Sequence, residues 1–283
     1  MTKKEDPDVT ASCSEEEVQR AAAGLSAIMP FTPLQRNRNL SDTYQADIFL
    51  KREDLTPVRS YKIRGAYNFM SRLSRGQLAR GVVCASAGNH GQAVAHCCSL
   101  MRAKGLIVLP QSTPAQKIAR VHSLGGSQVS VELAGDTFDD AYAAAWEATR
   151  ELEAVFIHPF DHPRIIEGQS TMGYEILRQM NRPVDVLVVP VGGGGLMSGL
   201  GRYFRNVSPA TRLVGAQPVG ADAMRRSLAA GYPVFMDTLD CFADGVAVRR
   251  VGDRTFSMCQ SLVDEIVLAK GGAVRGHRST VSG

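Results

Sequence analysis

The chain has 283 residues, 44% of them hydrophobic and 21% charged, enough for one large domain or two modest ones around a real buried core. Its formal charge is +4, from 32 basic and 28 acidic residues spread along the chain, which argues against a nucleic-acid partner that would demand a clustered basic face. No stretch reaches the roughly 20 apolar residues needed to span a bilayer and no apolar signal region opens the chain, so a soluble cytoplasmic protein without a membrane partner is expected.

Residues 1–13 are polar. "SEEEVQRAAAGLSAIM" then reads as a helix: Ser14 and Glu17 have capping-box spacing, three glutamates favour the positive end of the helix dipole, and Val18, Ala22, Leu25 and Met29 recur at helical spacing. "PFTPL" ends it, because proline cannot continue a helix. From there strands and helices alternate. "ADIFLKRE" is a strand and "KIRGAYNFMSRL" a helix; "GVVCAS" and "GNHGQAVAHCCSLM" repeat the pair. "GLIVLP" precedes the helix "PAQKIARVHSL", and "SQVSVEL" precedes the long helix "DTFDDAYAAAWEATREL". "AVFIHPF" is followed by "RIIEGQSTMGYEILRQM", and "VDVLVVPV" by a helix from Leu196. "VDVLVVPV" lacks polar alternation after Asp185, the pattern of a strand buried on both faces. "TRLVGAQ" and "DEIVLA" are the last strands. This alternation predicts an α/β protein with two lobes, each a parallel sheet covered by helices. Cys13, Cys84, Cys97, Cys98, Cys241 and Cys259 match no zinc spacing and read as reduced, buried thiols.

Two junctions invite a ligand. In "LVVPVGGGGLMSGLG" a strand runs into Gly192, Gly193, Gly194 and Gly195, and a helix opens at Leu196. Successive glycine N–H groups and a helix N-terminus can converge on a phosphate; the competing reading is a turn made permissive for packing. No Gly-Lys-Ser/Thr follows, so this is not a nucleotide-triphosphate loop, and it is not the G-x-G-x-x-G of a dinucleotide fold. In "CASAGNHGQAVA" the residues Ser86, Gly88, Asn89 and His90 gather at a helix start that can receive a carboxylate. Asn89 is either a helix cap or a ligand-binding amide, and a lone His90 is more often structural than catalytic. Lys62 in "RSYKIRG" reads by itself as a solvated charge.

Together, "KREDLTPVRSYKIRGAYN", "SAGNHGQAVA", "FDHPRIIEGQSTMGYEI", "VPVGGGGLMSGL" and "FADGVAVRRVGDRTF" resemble the threonine dehydratases, fold type II enzymes that use pyridoxal 5′-phosphate, over about residues 20–268. The resemblance implies two open parallel-sheet lobes of the tryptophan synthase β kind: a large cofactor-binding domain from 1–75 and 156–283, and a small one from 76–155. It implies that Lys62 forms the Schiff base with the cofactor and then moves the substrate α-proton. Asn89 would bond the ring hydroxyl, Gly192 to Leu196 would cradle the phosphate, and Ser86, Gly88 and His90 would receive the substrate carboxylate. The implied reaction deaminates L-threonine to 2-oxobutanoate and ammonia, the first step of isoleucine synthesis, in a homo-oligomer. Serine dehydratases, serine racemases and hydroxyaspartate ammonia-lyases share parts of the motif set and stand as alternatives.

The chain departs from that family in three places. "KGGAVRGHRSTVSG", residues 270–283, has no acidic residue and no periodicity and reads as a truncated or out-of-frame end. The late serine that bonds the pyridine nitrogen therefore has no match, an inactive fragment is a further alternative, and no regulatory domain is expected. Gln217 stands where related racemases carry a metal-binding glutamate, so no metal is expected.

Overall fold

The computed structural model describes residues 14–86 and 88–270. Helix α1 (Glu15–Ser26) is capped as its sequence requires. The Ser14 N–H donates to the Glu17 carboxylate at 2.8 Å, and the Glu17 N–H donates to Ser14 Oγ at 3.2 Å. Val18, Ala22, Leu25 and Met29 are all buried. Strands β1 (Leu34–Arg36) and β2 (Phe49–Lys51) flank helix α2 (Arg38–Tyr44) and pair antiparallel, Gln35 opposite Leu50. The strand expected in "ADIFLKRE" thus exists, but in a two-stranded ribbon rather than in a parallel sheet.

Next come α3 (Lys62–Met70), α4 (Arg75–Arg80), β3 (Val82–Ala85), α5 (Asn89–Met101), β4 (Gly105–Leu109) and α6 (Ala115–Gly125). They are followed by β5 (Val129–Leu133), α7 (Phe138–Glu151) and β6 (Val155–Phe156). The four strands β3 to β6 form one parallel sheet in the order β5-β4-β3-β6. Val83, Ala85, Val108 and Phe156 from this sheet pack against Ala141, Ala145 and Ala148 of α7, small residues at helical spacing that let the helix lie close. On the same helix Trp146 stacks on Phe156, with ring centroids 4.3 Å apart, yet remains 43% exposed.

The remaining elements are α8 (Pro163–Gln179), β7 (Val186–Pro190), α9 (Gly195–Val207), β8 (Arg212–Pro218), α10 (Ala223–Ala230), α11 (Asp253–Leu262) and β9 (Glu265–Ala269). Their strands form a second parallel sheet, β7-β8-β9. Of the described residues, 22–86, 88–159 and 175–181 form one compact unit, here the four-stranded unit; 14–21, 160–174 and 182–270 form the other, the three-stranded unit. Two open parallel sheets match the fold expected from the alternation.

Two expectations are corrected. Strand β7 is not buried on both faces: Val186 and Val188 are 49% and 60% exposed, while Val189 is buried. The strand lies at a sheet edge, and its alternating side chains reach one covered and one open face. The thiols of Cys84, Cys97, Cys98 and Cys259 are buried and unpaired, but Cys241 is exposed in the loop before α11. Cys13 and residues 271–283, with the expected truncated end, lie outside the described residues. Among the described residues no helix is long and apolar enough to cross a membrane.

Candidate functional site

Lys62 is presented by a locked turn in the four-stranded unit. Arg59 takes the left-handed conformation, φ 56°, and its N–H donates to the Thr56 carbonyl at 2.9 Å. A non-glycine residue there is strained and persists only where its surroundings enforce it. The Thr56 hydroxyl supplies that enforcement. It donates to the Ser60 carbonyl and accepts from the Ser60 N–H, both at 2.9 Å. Helix α3 then begins at Lys62 itself.

The Lys62 ammonium donates to the carbonyl of Pro159 at 2.7 Å and lies 5.5 Å from the centre of the Tyr61 ring. The residue keeps partial exposure, but its amine sits in dense surroundings, and burial lowers its pKa to about 8. Burial raises Tyr61 to about 12. Lys62 is therefore not the solvated charge that its sequence context suggests.

The second junction is in the same unit. Gly88 occupies the N-cap of α5, with no side-chain cap, and Asn89 is the first helical residue and exposed. Asn89 does not serve as the cap. Ser86 Oγ accepts the Gly88 N–H at 3.2 Å, which shapes the turn. His90 is only 4% exposed, and its Nε2 meets the Ile157 carbonyl at 2.8 Å. A carbonyl only accepts, so Nε2 carries the proton and the neutral ring leaves Nδ1 bare. Burial first, then the charge of Lys62, lowers the His90 pKa to about 3. The carbonyls of Ile157 and Pro159, two residues apart after β6, thus hold His90 and Lys62 respectively.

The glycine loop belongs to the three-stranded unit. Gly194 has φ +94° and is the N-cap of α9. A Cβ on it would lie 2.6 Å from Met224 Cε and 2.8 Å from Thr255 Cβ. A Cβ on Gly193 would lie 2.5 Å from the Phe160 ring. Gly192 and Gly195 are similarly close to Val246 and Phe160, and Leu196 is buried in the first turn of α9. The packing reading of the four glycines is therefore correct as far as it goes. It leaves room for the anion reading, because the first turn of an α-helix such as α9 has N–H groups without helical acceptors. Gly194→Ala is expected to destabilise the chain by about 1–3 kcal/mol, from overpacking and backbone strain together. A urea midpoint equal to the wild type would refute this.

Reading residue by residue does not single out the groups that hold this loop. Thr255 Oγ1 donates to the Gly193 carbonyl at 2.6 Å, and the Thr255 N–H donates to Asp161 at 2.9 Å. Burial raises the pKa of Asp161. Their one signal in the sequence is that "FDHP" and "GDRTF" lie within the stretches that carry the family resemblance. Gln217 is buried in β8 with its amide fully engaged. Its NH2 donates to the Val191 and Ala221 carbonyls at 3.0 and 3.4 Å, and its carbonyl accepts the Arg225 N–H at 2.9 Å.

Residues 26–275 match the sequence profile of the pyridoxal-phosphate dependent enzymes. The biosynthetic L-threonine dehydratase IlvA of Halalkalibacterium halodurans is 43% identical over 259 residues, 92% of this chain and 62% of that protein. The chloroplastic biosynthetic threonine dehydratase of Arabidopsis thaliana is 46% identical over 243 residues, 86% of this chain and 40% of its own length. The chain thus spans less than two thirds of these relatives. Among solved structures, the processed form of threonine deaminase isoform 2 from Solanum lycopersicum superposes with a TM-score of 0.83 at 41% identity, covering 90% of this chain and 75% of that one. Maize serine racemase superposes with a TM-score of 0.90 at 29% identity, covering 95% and 80%. The buried lysine, the glycine turn and these likenesses over nearly the whole chain place it in one family: the chain belongs to the pyridoxal-phosphate dependent enzymes, of fold type II.

Proposed function

We propose that this chain carries the catalytic machinery of a threonine ammonia-lyase, converting L-threonine to 2-oxobutanoate and ammonia. The observation that carries the reading is Lys62: a buried amine on the Pro159 carbonyl whose pKa has fallen to about 8. At pH 7 about a tenth of such an amine is unprotonated, the form that both attaches a carbonyl cofactor and accepts a proton.

The residues present fit pyridoxal 5′-phosphate. Gly193 and Gly194 admit no Cβ, because Phe160, Met224 and Thr255 stand against them, so the turn into α9 is backbone only, as a phosphate cradle requires. Ser60 Oγ, two residues before Lys62, is buried with no hydrogen-bond partner among the described residues, which fits a segment shaped around a ligand. Lys62 is the attachment point, Asn89 the partner of the ring hydroxyl, and Gly192 to Leu196 the phosphate cradle. When bound, the cofactor supplies an electron sink for the charge that develops at the substrate α-carbon.

The chain's own residues do the rest. The N-terminus of α5 receives the substrate carboxylate on its backbone N–H groups, with Ser86 and Gly88 shaping the turn. His90, held neutral and bonded to Ile157, adds no positive charge beside Lys62, so the lysine's lowered pKa comes from burial and not from a neighbouring cation. The Lys62 Nζ takes the proton from the substrate α-carbon, the β-hydroxyl gains a proton as it leaves so that water is released, and the enamine that remains takes up water to give 2-oxobutanoate and ammonia. The likeness to maize serine racemase supports the fold, and Gln217, engaged by backbone partners, stands where the resemblance places a metal-binding glutamate in the racemases.

The test is borohydride reduction of the cofactor-loaded chain followed by peptide mapping. A pyridoxyl label on Lys62, with 2-oxobutanoate formed from threonine before reduction, is expected. A label on another lysine sinks the assignment.

A further inference from the structure

Four charged side chains meet at α3 in the four-stranded unit, and none has a part in the chemistry above. Arg64 is wholly buried. Its guanidinium grips two carboxylates at once. Nε and Nη2 donate to the two oxygens of Glu53, both at 2.8 Å. Nη1 and Nη2 donate to the two oxygens of Glu175 at 2.6 and 3.0 Å. Lys51 closes the cluster, donating to Glu175 at 2.6 Å, to the Thr32 carbonyl at 2.7 Å and to Gln179 at 2.8 Å. Thr32 Oγ1 donates to Glu53 at 2.6 Å. Two cations and two anions thus neutralise each other, with their remaining hydrogen-bonding groups largely engaged.

Such a cluster is a poor source of net stability, since apolar residues of the same volume often serve as well. What a planar guanidinium with two forks adds is geometry: each carboxylate has one place to sit. The carboxylates come from the turn after β2 and from the end of α8, and the lysine from β2. Their shared target is the first turn of α3, which begins with Lys62. Two helical residues separate the side chains of Lys62 and Arg64 by about 200° around the axis, so Arg64 grips the helix on the far side from the amine.

We propose that Arg64 is a positioning residue: its two carboxylate forks lock the first turn of α3 from behind and thereby hold the Lys62 amine on the Pro159 carbonyl. This rests on the reading of Lys62 as the reactive amine. The lock explains how a helix can start on a lysine, beside a strained Arg59, and still keep the amine away from water.

The test needs no cofactor. The full chain is acetylated with limiting acetic anhydride across a pH series, and the fraction modified at Lys62 is read by peptide mapping. Burial holds the neighbouring Tyr61 at about 12 and, with the charge of Lys62, His90 at about 3, so neither titrates near neutrality. The wild-type midpoint is expected at about 8. Arg64→Lys keeps the charge and removes the forks. Its midpoint is expected to rise toward the ordinary 10.5 while its circular dichroism stays native. A folded Arg64→Lys chain with its midpoint still at about 8 overturns the proposal. If that variant does not fold, Glu53→Gln decides, since it weakens one fork and leaves the other. An upward shift supports the lock, and an unchanged midpoint overturns it. Failure of borohydride mapping in the wild type would remove the reactive-amine reading and leave the acetylation shift to judge Arg64 independently.

Discussion

Lys62→Ala is expected to lose covalent cofactor attachment altogether and to lower threonine turnover by roughly 10²–10⁴-fold through loss of proton transfer alone. Folding is not the cause to fear. Burial lowers the Lys62 pKa to about 8, so the folded chain binds that proton more weakly than the unfolded chain does. Stability from this group therefore rises as pH climbs from about 8 to 10.5, and the cost of the buried charge is fully present below about 8. Lys62→Met, which keeps the stem and drops the charge, should melt no lower than the wild type at pH 7. Its advantage should shrink as pH rises through that window. Turnover within tenfold of wild type, or a Lys62→Met chain unfolded at pH 7, would show that the amine has some other task.

The second large effect is on stability. Arg64→Met should destabilise the chain by about 3–5 kcal/mol, because it strands carboxylates that the guanidinium now neutralises. Burial alone would push the Glu175 carboxyl up; the hydrogen bonds and charges of Arg64 and Lys51 more than offset this and hold it below its usual value. The stability so contributed is present above the ordinary 4.5 and is lost as pH falls toward the lowered folded value. In Arg64→Met the loss should begin at higher pH, as Glu175 regains an upward shift. Adding Glu53→Gln alone should recover part of the stability, since it removes one stranded carboxylate while Lys51 still neutralises Glu175. Urea unfolding at pH 5 and pH 7 measures both. A wild-type midpoint in Arg64→Met would mean that Lys51 alone suffices.

Arg64 also shows where reading from residues alone stops. Its sequence setting, "YKIRGA", gives no hint of burial, because its partners Glu53 and Glu175 lie 11 and 111 residues away. Features written into short stretches were legible: the Ser14–Glu17 box, the run from β3 to α7, and the helix after the glycines. Short elements such as α2, α4 and α10 were not, since about two turns of helix have little periodicity to show. β7 misled because an apolar run reports a preference for burial and not the presence of a neighbour. At the site, residue type alone left Asn89 undecided between cap and ligand; the structure gives the N-cap to Gly88. The four glycines announced a close approach, but what approaches, Phe160 and Thr255, was set by tertiary packing.

The stacking of Trp146 on Phe156 has a practical consequence. Trp146 is the sole tryptophan of the chain. Its emission therefore reports the seam between α7 and β6 and is blind to the glycine turn. Damage to the three-stranded unit can pass unseen in a fluorescence melt while far-ultraviolet dichroism records it. Disagreement between the two probes would itself show that the two units unfold in separate steps.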